Sequence, residues 1–159
     1  MSWLLLCWLG LFILQAALLG RNIYAIVCFS DLESDFINPF ELTSRLNRFV
    51  VLEYSGQAAI TLAMLLSGEW ILAALHGALL LYFLNLVRTR QYLIDTTDVF
   101  KQLPIQKKRR LAVFVFYAVL FVFTAYRLIE TAIKTALSPE GREMVKKMLH
   151  EAAGSLHGY

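Results

Sequence analysis

A chain of 159 residues suits one compact unit, yet 58% of it is hydrophobic and only 17% charged, against an apolar share of roughly 45–50% in a soluble domain. A water-soluble core of this size cannot hide several apolar runs of about 18 residues, which excludes an ordinary soluble globule and makes the bilayer the solvent. The formal charge of +3 is concentrated between apolar runs, so it reads as a topology signal and not as a nucleic-acid-binding face.

The first apolar run extends from Trp3 to Leu19 and continues through Asn22 to Phe29 past a single charge, Arg21. No basic residue precedes it, so it reads as a retained membrane anchor and not as a cleaved leader. Cys7 and Cys28 stand too far apart along such a helix to bridge, and read as free, buried, small apolar residues.

Residues 30–48 change character: Asp31, Glu33, Asp35, Glu41, Arg45 and Arg48 interleave with Leu32, Phe36, Ile37, Phe40, Leu42 and Leu46. This pattern predicts a polar loop with amphipathic pieces. Asn38-Pro39 breaks any helix, and a short interfacial helix can follow Pro39. The carboxylates at 31, 33 and 35 lack the turn glycine and the closing acidic ligand of a calcium loop, so they read as a solvated or partner-facing surface and no metal is expected.

The second span is expected over about 49–66 and the third over 70–87, with only Ser67-Gly68-Glu69 between them. So short a link forces an antiparallel hairpin, with Gly68 allowing the turn and Trp70 at the interface. Gln57, Thr61 and the small residues Gly56, Ala58, Ala59 and Ala63 of span two, with Ala73, Ala74, Gly77 and Ala78 of span three, suit close helix pairing in lipid. Two uses fit them: packing within the hairpin, or reception of a client protein's span. His76, midway along span three, reads as a neutral imidazole bonded to a neighbouring helix, with a proton relay as the sharper alternative. Glu53 and Glu69 are expected at span ends, within reach of water.

From Arg88 to Arg110 the chain carries Arg88, Arg90, Lys101, Lys107, Lys108, Arg109 and Arg110 against only Asp95 and Asp98, which marks the cytosolic side. A fourth span follows over about 111–133, with Arg127 able to snorkel. By parity the fold class is all-α, a four-span transmembrane helical bundle with both termini lumenal or extracellular, and spans at about 3–29, 49–66, 70–87 and 111–133. The membrane domain then covers 1–137. Ser138-Pro139 reads as N-cap and first helical residue of an amphipathic tail over 138–159, with Gly154 onward expected to be disordered. No catalytic constellation or cofactor-binding pattern is legible, so binding is expected to be the chain's work, not enzymatic turnover.

The string Phe29-Ser30-Asp31-Leu32-Glu33-Ser34-Asp35-Phe36-Ile37-Asn38-Pro39 resembles the F-x-D-L-x-x-D-x-x-N-P motif of cornichon proteins, in which Asp31, Leu32, Asp35, Asn38 and Pro39 are the family positions. Leu46-Asn47, Glu53-Tyr54, Glu69-Trp70 and the segment from Asp95 to Phe100 resemble further family positions, over Trp3 to Ile129. The basic run Lys107 to Arg110 is similar to plant and fungal members. His76-Gly77-Ala78 departs from the N-x-P that many members carry in span three.

The resemblance implies a cargo receptor that binds transmembrane clients, transporters or channels, in the endoplasmic reticulum and recruits the COPII coat for export to the Golgi. It also implies a coat-binding sequence in the last cytosolic loop, where Val99, Phe100, Lys101, Gln102 and Leu103 stand and would meet the coat's cargo-selecting subunit as a mobile peptide. Glu53, Tyr54, Gln57, Thr61, Glu69 and Trp70 form the candidate client-binding set. The family's alternative role is an auxiliary subunit of a glutamate-receptor-type channel, which would add the plasma membrane to the expected endoplasmic reticulum and Golgi membranes. The expected partners are thus membrane proteins, coat and membrane lipids, with no nucleic acid.

Overall fold

The computed structural model describes residues 3–156, and every regular element among them is a helix. In chain order these are α1 (Trp3–Glu33), α2 (Pro39–Asn47), α3 (Val50–Leu66), α4 (Trp70–Arg88), α5 (Val99–Leu137) and α6 (Pro139–Leu156). Four stretches, Trp3–Glu33, Pro39–Leu66, Trp70–Arg88 and Val99–Leu137, are long and apolar enough to cross a membrane. Even the shortest, 19 residues, reaches roughly 28 Å at about 1.5 Å per residue, close to the hydrocarbon thickness.

Helices α3 and α4 begin and end where the apolar runs do. The outer two are longer than their apolar runs. α1 continues to Glu33, and α5 begins at Val99 although the expected span starts at Leu111. Lys, Arg and Gln between 101 and 110 are good helix formers, and Val99 and Leu103 are buried while Lys101, Ile105 and Lys108 face outward. An amphipathic stretch of this kind carries a helix beyond the bilayer. Pro104 does not end it. It lies inside α5, where its missing N–H removes one bond, to the carbonyl of Phe100.

Three helices stop by the same device, a residue with positive φ two places past the last helical one. Asp35 (φ 57°), Gly68 (φ 73°) and Arg90 (φ 56°) adopt it after α1, α3 and α4. In each case that residue's N–H bonds a carbonyl three back, and the next N–H reaches five back: Asp35 to Leu32 and Phe36 to Asp31, Gly68 to Leu65 and Glu69 to Met64, Arg90 to Val87 and Gln91 to Leu86. These paired bonds satisfy carbonyls that a helix end would otherwise orphan. Asn38 then starts α2 as an N-cap, its side chain accepting from the Glu41 N–H at 2.8 Å, with Pro39 in the first turn.

The chain divides into two compact units, one of residues 14–121 and one of residues up to 13 and from 122 onward. In the larger unit α3 and α4 form the most extensive helix pairing. At the other end of these helices from the Gly68 turn, Ala25, Cys28, Phe29 and Leu32 of α1 meet Leu42 and Leu46 of α2, Ile94, and Val99 and Leu103 of α5 in one apolar core. The linker between α4 and α5 is tied down here. Asn47 donates to the Ile94 carbonyl at 3.0 Å and accepts from the Ile94 N–H at 2.9 Å. The Thr43 and Thr96 hydroxyls lie 3.0 Å apart. Asp95 accepts from both the N–H and the hydroxyl of Thr97 (2.9 and 2.8 Å), which holds its carboxyl below the usual carboxylate range.

In the smaller unit the Arg127 guanidinium lies 5.5 Å from the centre of the buried Trp8 ring and pairs with Glu130 at 2.6 Å. Ser138 caps α6 by accepting from the Gly141 N–H at 3.1 Å, and Pro139 is its first residue. α6 buries no residue, and Val145, Met148 and Leu149 remain exposed. It continues through Gly154 to Leu156, so the disorder expected from Gly154 is not found there; residues 157–159 lie outside the described residues. Cys28 is buried as expected, while Cys7 is exposed; both are free.

Candidate functional site

Polar side chains form a buried column inside the larger unit. Its most charged level joins three helices: Arg110 of α5 pairs with Glu53 of α3 at 2.7 Å, and Asn22 of α1 donates to the Arg110 carbonyl at 2.9 Å. The Glu53 side chain is 0% exposed and that of Arg110 15%. Glu53 is therefore not the water-reached residue that its place near a span end suggested. Its helix starts at Val50, but the core formed by α1, α2 and α5 covers that end. Arg21 stands in the same neighbourhood, donating to the Leu46 carbonyl at 2.9 Å and lying 5.7 Å from the Phe49 ring centre. One guanidinium thus pairs with the carboxylate and a second stands nearby, and a carboxylate this deep needs such a partner, since an uncompensated charge away from water is too costly to retain.

Further along the helices, Gln57 of α3 donates to the His76 carbonyl of α4 at 3.0 Å and lies 3.2 Å from Nδ1 of the same imidazole. His76 is thus bonded to the neighbouring helix, the blander of its two readings. The Thr61 hydroxyl donates to its own helix, to the Gln57 carbonyl, at 2.8 Å. Gln15 of α1 donates to the Tyr117 carbonyl of α5 at 3.3 Å. Such bonds hold helices in register where hydrophobic sorting is weak. Among the described residues no group of three His, Cys, Asp or Glu side chains could hold a metal ion.

The expected client-binding residues therefore separate. Glu53, Gln57 and Thr61, all on α3, are buried inside the unit, Tyr54 is half-buried with its ring stacked on Phe83 at 4.6 Å, and Glu69 is half-buried at the start of α4. Trp70 alone is open, 71% exposed. The expected coat segment separates as well. Val99 and Leu103 are 1% and 8% exposed and belong to the apolar core, Gln102 is half-buried, and Phe100 and Lys101 face outward. The segment forms the first turn of α5.

A family model described as Cornichon protein matches residues 4–126. The chain is 38% identical over 133 residues to protein cornichon homolog 2 of Oryza sativa subsp. japonica, covering 84% of this chain and 89% of that one. It is 33% identical over 131 residues to the ER-derived vesicles protein erv14 of Schizosaccharomyces pombe, covering 79% and 96%. It is 34% identical over 113 residues to the ER-derived vesicles protein ERV15 of Saccharomyces cerevisiae, covering 71% and 80%. The chain belongs to the cornichon family.

In this cornichon chain the motif from Phe29 to Pro39 is a corner. Phe29 and Leu32 anchor it in the core, Asp31 offers the carbonyl that the Phe36 N–H reaches, Asp35 takes the left-handed conformation, and Asn38-Pro39 start the next helix. Leu46-Asn47 belongs to the same assembly, as core residue and clamp on Ile94. Sequence reasoning missed that clamp and the Glu53–Arg110 link. The second had a signal, since an acid and a base at the ends of two apolar runs are the pair that a membrane interior demands. The first had none, because an Asn that bonds a distant backbone looks like any loop Asn.

Proposed function

We propose that this cornichon protein is a receptor that binds transmembrane clients in the endoplasmic reticulum and loads them into COPII vesicles bound for the Golgi. The observation that carries the reading is its likeness, over most of its length, to two fungal proteins named as ER-derived vesicles proteins. In this reading it works by binding alone. The basic residues from Arg88 to Arg110 face the cytosol, both termini face the lumen, and the tail α6 lies on the membrane surface with Val145, Met148 and Leu149 in the interface.

The coat's cargo-selecting subunit reads Phe100 and Lys101, an aromatic side chain 58% exposed beside a cation. Val99 and Leu103 act from below, fixing that turn of helix in place, and Gln102 lines its edge. A preformed turn loses less freedom on docking than a mobile peptide does. Clients meet the outward face of the hairpin, where Trp70 and the small exposed residues Ser55, Ala58 and Ala59 allow close helix approach. Glu53, Gln57 and Thr61 set the spacing behind that face, with Tyr54 and Glu69 at its edges.

Proximity labelling in cells tests this, comparing wild type with Phe100→Ala. Coat subunits are expected to drop out of the captured set while client membrane proteins stay, and client export is expected to slow. Unchanged coat capture together with unchanged export would overturn the docking assignment.

A further inference from the structure

The basic run from Lys107 to Arg110 is unevenly neutralised. Lys107 pairs with Glu33 and Arg110 with Glu53. Arg109 donates to the neutral side-chain carbonyl of Gln91 at 3.2 Å. Among the described residues no carboxylate is paired with Lys108 or Arg109, and these two residues edge a groove of about 480 Å³ between α4 and α5. Its walls are almost wholly apolar. Ala78 and Leu79 of α4 form one and Ala112 and Phe116 of α5 the other, with Tyr82 the one polar-tipped side chain along them.

We propose that this groove binds an anionic glycerophospholipid, with an acyl chain along the walls and the headgroup phosphate on Lys108 and Arg109. The volume falls in the roughly 300–1,000 Å³ range of small-ligand sites. The two cations precede Leu111, where the apolar stretch of α5 begins, so they stand at headgroup level. Basic pockets between helices at a cytosolic boundary suit anionic headgroups. The small side chains Ala78 and Ala112, both exposed, leave room that bilayer hydrocarbon must fill, since water gains nothing there.

A client helix fits less well. The cytosolic flanks of membrane spans are enriched in Lys and Arg, which Lys108 and Arg109 would repel, whereas every anionic phospholipid brings a phosphate. The lipid site rests on the cytosolic placement of the basic segment in the proposed function.

Native mass spectrometry of the full chain, purified in detergent and offered phosphatidylserine and phosphatidylcholine of matched chain length in equal amounts, provides the test. One phosphatidylserine per chain is expected to survive in preference to phosphatidylcholine. Lys108→Glu with Arg109→Gln is expected to weaken its retention on the order of tenfold or more, given about 1 kcal/mol per basic residue near a charged surface. Ala112→Phe, a change on an exposed face, is expected to expel the lipid through the walls instead, with the thermal midpoint unmoved. Equal retention of phosphatidylcholine, or phosphatidylserine retention indifferent to both variants, overturns the site. So does a photo-crosslinker at position 112 that captures client proteins and no lipid in cells. No coat or client is present in the purified sample, so loss of the lipid site leaves the receptor reading standing, and failed coat capture leaves lipid retention untouched.

Discussion

Without Arg110 the fully buried Glu53 carboxylate would have no counter-ion at hydrogen-bonding distance, and without Glu53 the mostly buried Arg110 would keep only the neutral Asn22 Oδ1, at 3.3 Å. Replacing either residue alone by Ala is therefore expected to cost about 3–5 kcal/mol, as for other buried pairs broken on one side. The double change Glu53→Met with Arg110→Met removes both charges and fills the volume, so it should cost less than either single change. Thermal unfolding in detergent ranks the three variants; a double variant weaker than both singles would show the pair to be net stabilising. The three helix stops rank by side chain as well. A left-handed conformation costs an ordinary residue roughly 1–2 kcal/mol, less for Asp. Arg90→Gly is thus expected to raise the unfolding midpoint, Asp35→Gly to leave it nearly unchanged, and Gly68→Ala to lower it.

Leu103 and Phe100 share the first turn of α5 and have opposite fates: one enters the apolar core and the other does not. Leu103→Ala should cost about 2–5 kcal/mol, the usual range for a core truncation, while Phe100→Ala should stay within roughly 0.5 kcal/mol. A fall in coat capture on Leu103→Ala therefore reports folding first, and Phe100 is the cleaner probe. At the start of α6, a methyl group added at Gly141 would stand 2.0 Å from the Thr135 carbonyl oxygen. Gly141→Ala cannot be absorbed there and should detach α6 from its cap on Ser138, read as faster hydrogen exchange at the Gly141–Glu143 amides.

Apolar run length placed α3 and α4 correctly, because bilayer thickness and helix rise leave little freedom. The same measure says nothing of the part of α5 before Leu111, since it sees only hydrocarbon and α5 begins by packing on a polar-edged core. The N-cap at Ser138 was legible from residue type, as was a helix start after Pro39, whereas the capping role of Asn38 was not.

At the scale of the whole molecule, the basic segment from Arg88 to Arg110 gives the protein a sidedness that can be measured. An Asn-X-Ser/Thr acceptor appended to the C-terminus should be glycosylated in cells, whereas one inserted between Gln91 and Asp98 should not. The reverse pattern would invert the orientation and, with it, the access of any coat to Phe100. The candidate site was half legible. Its exposed residues could be located from motif and composition, but the column of Arg21, Asn22, Glu53 and Arg110 draws on three helices, and no local pattern says which charge will meet which.

That column also sets a clock on synthesis. Arg110 follows Glu53 by 57 residues, roughly 3–11 s of elongation at about 5–20 residues per second. Throughout that interval α3 carries an acid whose hydrogen-bonded counter-ion has not yet been made, Arg21 being the one guanidinium of the column already present. A charge without its partner is costly in hydrocarbon, so α3 is expected to remain against the insertion machinery until α5 arrives. A nascent chain stalled before α5 would display that acid without its Arg110 partner.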